Sequence, residues 1–159
     1  MSDDLKAIVD AIVGRRVVAV RNDTEAYKQN PRAYPGVVDG STLILDDGTE
    51  LTLYMSDSDC CAKARGEWVT NPDRLDAAIT SVTITPNEER DDRGNDPDYG
   101  EEEIENYATV TVMHNQNPIA QAECSADNGN GGYYYSILSL AVKLPGSSEL
   151  APSAEVVSA

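Results

Sequence analysis

The chain has 159 residues, 40% hydrophobic and 25% charged, enough for one domain with a core of its own and too few for two. Its 28 acidic and 12 basic residues give a formal net charge of -16, a field that repels phosphates and so disfavours direct binding to nucleic acid or to an anionic membrane. No run approaches the roughly 20 apolar residues of a membrane span, the acidic start Met1-Ser2-Asp3-Asp4 has the wrong sign for a secretory signal, and Cys60, Cys61 and Cys124 lack disulfide-framework spacing, which points to reduced thiols.

Taken in chain order, Ser2 can cap an amphipathic helix with Leu5, Ile8, Val9, Ile12 and Val13 on one stripe and Gly14 as its stop. A strand over 15–22 follows, then a polar, Pro- and Gly-punctuated insertion over 23–41. Residues 42–45 and 50–55 flank Asp46-Asp47-Gly48, a tight-hairpin signal that puts Leu51, Leu53 and Met55 on one face. Next come a mixed segment over 57–65, a brief strand over 67–70, a helical turn opened by Asn71-Pro72-Asp73 and reaching Ala78, and a strand over 79–85 that Pro86 ends. Residues 88–105 hold ten acids against two arginines, half the net charge of the chain, and read as a solvated surface loop. A second hairpin joins 107–114 to 119–126 around Asn115 to Pro118, and a long final strand covers 133–144. Residues 145–159 are small and polar and read as a flexible tail. The expectation is one α+β domain over 1–144: an N-terminal helix with a mostly antiparallel sheet or small β-sandwich of about seven strands.

Cys60, Cys61, Cys124 and His114 have the ligand chemistry of a zinc site. The expected register opposes His114 to Ala120, four residues from Cys124 and so about 13 Å away along the ladder, which argues for buried thiols and a strand-end histidine. No nucleophile elbow, phosphate loop or ordered calcium loop occurs, so neither catalysis nor a cofactor is expected. Gly129 to Gly132 reads as a flexible turn. Two clusters suit binding instead. Lys63, Arg65 and Trp68 gather cations beside an aromatic ring, and Tyr133, Tyr134 and Tyr135 place rings on both faces of a strand start. Lys63, Arg65, Trp68, Tyr133 and Tyr134 are therefore the candidate ligand-binding residues, on a surface completed by a second copy of the chain.

The segments running from Val13 to Val20 (VGRRVVAV), from Leu43 to Leu53 (LILDDGTELTL) and from Ile79 to Ile84 (ITSVTI), with Asp59-Cys60-Cys61 and Gly131-Gly132-Tyr133-Tyr134, resemble a family of small proteins common in phages of actinobacteria. The resemblance covers residues 5 to 144 in order. The layout is also similar to that of the phage anti-Thoeris sponges, small oligomeric β-rich proteins that capture cyclic nucleotide immune signals without cleaving them. These resemblances imply a non-catalytic phage accessory protein, homo-oligomeric and cofactor-free, that sequesters a nucleotide in the cytoplasm of an infected bacterium. A virion component, such as a minor capsid or decoration protein, and an acidic DNA mimic are the alternatives.

Overall fold

The computed structural model describes residues 2–23, 40–59, 61–93 and 103–159. Most of the expected 23–41 insertion lies outside them, as do Cys60 and residues 94–102 of the expected acidic loop.

Helix α1 spans Asp3–Ile12, and the Ser2 hydroxyl oxygen accepts a hydrogen bond from the Leu5 backbone N–H at 3.1 Å. That bond satisfies one of the donors a helix N-terminus leaves open, while Asp3 and Asp4 favour the positive end of the helix dipole. Leu5, Ile8 and Ile12 are buried, whereas Val13, placed by periodicity on the same stripe, is 50% exposed. The helix stops one residue short of that pattern, at Ile12, because Gly14, at φ +87°, turns the chain so that its N–H donates to Ile79 O.

Among the described residues nine strands form two antiparallel sheets: β1 (Val17–Asp23), β2 (Gly40–Leu45), β3 (Glu50–Ser58), β4 (Ala64–Thr70), β5 (Ser81–Arg93), β6 (Glu103–His114), β7 (Asn117–Asp127), β8 (Ser136–Lys143) and β9 (Ser153–Ser158). One sheet has the order β1-β2-β3-β8-β9 and the other β4-β7-β6-β5. Alternation along each strand sends one set of side chains inward. Leu43, Leu51, Leu53, Met55, Leu138, Leu140 and Val142 from the first sheet meet Trp68, Val82, Val110, Val112 and Ala122 from the second. The helix packs against β9, β8 and β5, and so fills the gap between edge strands β9 and β5 on one side of the sandwich. No helix among the described residues is long and apolar enough to cross a membrane.

The Asp46-Asp47-Gly48 turn forms the β2–β3 hairpin as expected: Gly48 takes φ +89°, and Leu45 N donates to Thr49 O at 2.9 Å. Arg15 pairs with Asp47 at 3.2 Å across this turn, fixing the entry of β1. Burial, the largest single influence on the Asp47 carboxyl, pushes its pKa up. The bonds from Thr49 and the charge of Arg15 together outweigh it and hold the carboxyl below its usual value.

Several boundaries differ from the sequence reading. Pro86 does not end its strand. β5 continues to Arg93 because it is an edge strand, where the N–H that proline lacks can face away from the ladder. The ends of the expected acidic loop are strand as well, with Asp91, Asp92 and Arg93 in register with Glu105, Ile104 and Glu103. β4 begins at Ala64, three residues before the expected strand, and the helical turn is a short 3-10 segment over Pro72–Arg74. The second hairpin closes in two residues, Asn115 at φ +52° and Gln116, which opposes His114 to Asn117. Cys124 therefore faces Ala108, and Val110 and Val112 face Ala122 and Ala120, a register two residues away from the one expected. Tyr133 to Tyr135 precede β8 rather than open it.

The largest correction concerns the expected flexible tail. Residues 153–158 form β9, which pairs with β8 and buries Ala154, Val156 and Val157. Ser136 and Ala159 exchange backbone hydrogen bonds at 3.1 Å in each direction, and Val142 bonds to both Ala151 and Pro152. The alternation is hidden in the sequence because a bulge between Leu138 and Ser139 leaves Val156 as an extra residue. The strand count thus becomes nine rather than about seven, within the expected class of one helix on a mostly antiparallel sandwich. Deleting residues 151–159 is predicted to abolish the cooperative thermal transition followed by near-ultraviolet circular dichroism. Leu140→Ala, at a fully buried position on β8 beside the same strand, is predicted to cost about 2–5 kcal/mol in denaturant titration.

Candidate functional site

Side chains that point away from the core on the four-stranded sheet lie in rows across the strands, about 4.8 Å from one strand to the next. One row is Arg65, Ser125 and Tyr107, carried by β4, β7 and β6. The next row along is Glu67, Glu123 and Thr109. These positions alternate with Ala64, Gly66 and Trp68, with Ala122 and Cys124, and with Ala108 and Val110, all inward-facing. A cleft of about 600 Å³ opens over the two rows, bounded by Asn22, Gly40 and Ser41 where β1 ends and β2 begins.

Its wall is held by a chain of hydrogen bonds. The Trp68 backbone N–H, on the edge of β4 that has no partner strand among the described residues, donates to Ser41 Oγ at 2.9 Å. Ser41 Oγ donates to Asn22 Oδ1 at 2.7 Å, and Asn22 Nδ2 donates to Glu67 Oε1 at 2.7 Å. A buried edge N–H is satisfied in this way, and one oxygen of Glu67 is fixed in direction. Across from it, Thr109 Oγ1 donates to Glu123 Oε2 at 3.1 Å. Glu105 also lines the cleft; it is buried and has a partner of its own. Arg65 is exposed and forms no ion pair among the described residues.

Gly66 and Cys124 make the floor. A Cβ on Gly66 would lie 2.6 Å from Cys124 Sγ and 3.3 Å from Leu138 Cδ2, so only glycine lets β4 approach β8 this closely. Burial pushes the Cys124 thiol up to about 12, the neighbouring Glu123 charge adds to the shift, and a backbone bond from Val110 opposes it. The thiol therefore stays protonated and non-nucleophilic across the physiological range. His114 is at the far end of the hairpin, its Nδ1 at 2.6 Å from Ala78 O. Six residues along β6 separate it from Ala108, the partner of Cys124, which amounts to roughly 20 Å. Among the described residues no group of three His, Cys, Asp or Glu side chains could hold a metal ion.

The five residues singled out in the sequence fall in three places. Arg65 is in the cleft, and Lys63, two residues before it on the exposed face, leads towards the β7–β8 turn. Lys63 N donates to Asp127 Oδ1 at 3.0 Å, and Ser136 Oγ bridges Lys63 O and Asp127 O. Tyr134 packs in that turn, its N–H donating to Asn128 O and its ring against Gly129, while Tyr133 is 57% exposed beside Gly131. The turn read as flexible is a built element, with Gly131 N donating to Glu103 Oε1 at 2.6 Å and Asn128 Oδ1 accepting from Ile104 N at 2.9 Å. Trp68 is on the opposite face from Arg65, only 3% exposed, so its ring belongs to the core and not to a ligand surface. Its indole Nε1 has no hydrogen-bond partner among the described residues. The aromatic group that does share a row with Arg65 is Tyr107, which sequence reading passed over together with Ser125, Glu123 and Asn22. The signal was the period-two alternation of β4 and β6: it separates Arg65 from Trp68 and puts Tyr107 opposite the Val110 face.

These features define a two-sheet antiparallel sandwich with a polar lateral cleft and one capping helix. The chain belongs to the family described as a domain of unknown function, DUF7448, whose model matches residues 10–141. No curated protein and no solved structure matches it.

Gly66→Ala is predicted to destabilise the fold by about 1–3 kcal/mol in denaturant titration, as overpacking of a close contact does. Alkylation with iodoacetamide at pH 8, read by peptide mass spectrometry, is predicted to leave Cys124 unmodified in the folded protein and to label it after unfolding.

Proposed function

We propose that this chain is a non-catalytic binding protein whose recognition site is the cleft over Arg65, Ser125 and Tyr107. The observation that carries the reading is the composition of that cleft. A guanidinium with no ion-pair partner among the described residues, a hydroxyl and a phenol stand in one row above two oriented carboxylates, whereas the thiol at the floor is held protonated and the histidine is far away. Groups of this kind hold a ligand by charge-assisted hydrogen bonds and ring contact, with no activated nucleophile to react on it.

The resemblance to proteins of actinobacterial phages extends the proposal to an accessory protein that sequesters a small molecule inside an infected bacterium. Capture of a cyclic nucleotide is its narrowest form, and two placements weigh against that form. Trp68 supplies no exposed ring beside Arg65, and carboxylates next to the guanidinium oppose a ligand that brings only negative charge.

Native mass spectrometry of the protein purified from bacterial cytosol tests the reading. The expected result is a small-molecule adduct whose occupancy falls at least tenfold in Arg65→Ala and in Tyr107→Ala, with melting temperatures within a few degrees of wild type. Absence of any adduct, or an adduct indifferent to both substitutions, would contradict it.

A further inference from the structure

Two of the three glutamates that line the cleft stand where a sheet gains nothing from them; the third, Glu105, is buried with a partner of its own. Glu67 and Glu123 are directly opposed on β4 and β7, and like charges at such positions repel and destabilise an antiparallel pair. Each has one oxygen engaged by a neutral donor, Asn22 Nδ2 for Glu67 and Thr109 Oγ1 for Glu123. Neither donor brings a charge, so the repulsion is oriented and left in place. Arg65 is two residues along β4 from Glu67, roughly 7 Å at the rise of a strand. It carries the opposite sign and forms no ion pair among the described residues, so it does not neutralise its neighbours. Tyr107 is two strands across from Arg65, about 10 Å by the strand spacing, with Ser125 between them.

We infer that the cleft binds a zwitterion of the α-amino acid or short-peptide type, and this rests on the binding reading above. The ligand's ammonium group bridges Glu67 and Glu123, its carboxylate meets Arg65 and the Ser125 hydroxyl, and its side chain lies along Tyr107. An ammonium has three donors and suits two acceptors that converge from neighbouring strands, while the planar guanidinium takes a carboxylate through paired N–H groups. The separation of the charges in the cleft matches a molecule carrying both signs a few ångströms apart. A ligand of one sign would leave either the guanidinium or the carboxylate pair uncompensated and would be repelled by the other, which selects against it. The opposed carboxylates thereby acquire a role: their repulsion in the free protein is relieved on binding.

The arrangement has a signature that a structural role for the glutamates would not produce. Replacing Glu123 by Gln removes the like-charge repulsion while preserving shape, so the free protein keeps or raises its melting temperature and the ligand loses one of its anchors. Calorimetric titration with L-phenylalanine and the dipeptide Phe-Phe, against phenethylamine, 3-phenylpropionate and cyclic AMP, reads the selectivity. The expected result is that at least one of the two zwitterions binds tenfold or more tightly than either single-charge analogue and than cyclic AMP. Its affinity falls at least tenfold in Glu123→Gln and in Arg65→Ala, without loss of melting temperature in the former. Equal binding of zwitterion and single-charge analogues, preference for cyclic AMP, no binding of either zwitterion, or an affinity indifferent to Glu123 would overturn the inference. In each of these cases an Arg65-dependent adduct in native mass spectrometry would leave the broader binding reading standing, because that measurement does not depend on the probe.

Discussion

A single N–H on the unpaired edge of β4 organises much of what this protein has to offer a ligand. Among the described residues β4 has a partner strand, β7, on one side only, and an edge strand whose outer donors are buried must find acceptors elsewhere. Trp68 N finds Ser41 Oγ, and Ser41 passes the connection through Asn22 to Glu67. The same three bonds seat the Trp68 ring in the core, draw the β1–β2 end of the five-stranded sheet against the four-stranded one, and raise the wall of the cleft. Fold and site share these atoms. Gly66 complements them, since the absence of a side chain lets β4 settle onto Cys124 and Leu138 at that level.

Period and turn chemistry carried much of the fold. The Ser2 cap, the helical stripe and the Asp-Gly hairpin each follow from local rules that tertiary contacts reinforce, and Leu5, Ile12, Leu51, Leu53, Val110, Val112 and Leu140 are all buried as their spacing requires. What local rules missed has identifiable physical causes. β9 escaped because its apolar residues are few and a bulge breaks their alternation, so its identity as a strand comes from the β8 edge it pairs with. Pro86 misled because its meaning depends on whether a strand is central or at an edge, a property of sheet order and not of the residue. The register of the second hairpin turned on whether two residues or four close it, and only the left-handed Asn115 decides that.

The site was less legible than the fold. Proximity in sequence suggested that Arg65 and Trp68 act together, but an odd separation along a strand puts two side chains on opposite faces. Arg65 was placed at the surface correctly for its charge, and its partners Tyr107, Ser125 and Glu123 lie more than 40 positions away in the sequence, brought into one row by pairing that no local pattern specifies. Charge asymmetry was informative only in part. The net charge of -16 disfavours nucleic acid, yet it gave no warning that two carboxylates would face one another beside the arginine. Tyr133 and Tyr134, in contrast, serve a compact turn that Asp127, Asn128 and Glu103 hold together.

The dependence of the site on the β4 edge can be measured at one atom. Amide hydrogen exchange followed by nuclear magnetic resonance reports the Trp68 backbone N–H directly, in wild type and in Ser41→Ala. Slow exchange in wild type is the result the account predicts, accelerated at least tenfold in the variant while amides at the centre of β6 and β8 keep their protection, which localises the loss to the seam. A Trp68 amide that exchanges as fast as an exposed one in wild type, or that is equally protected without the Ser41 hydroxyl, would contradict it.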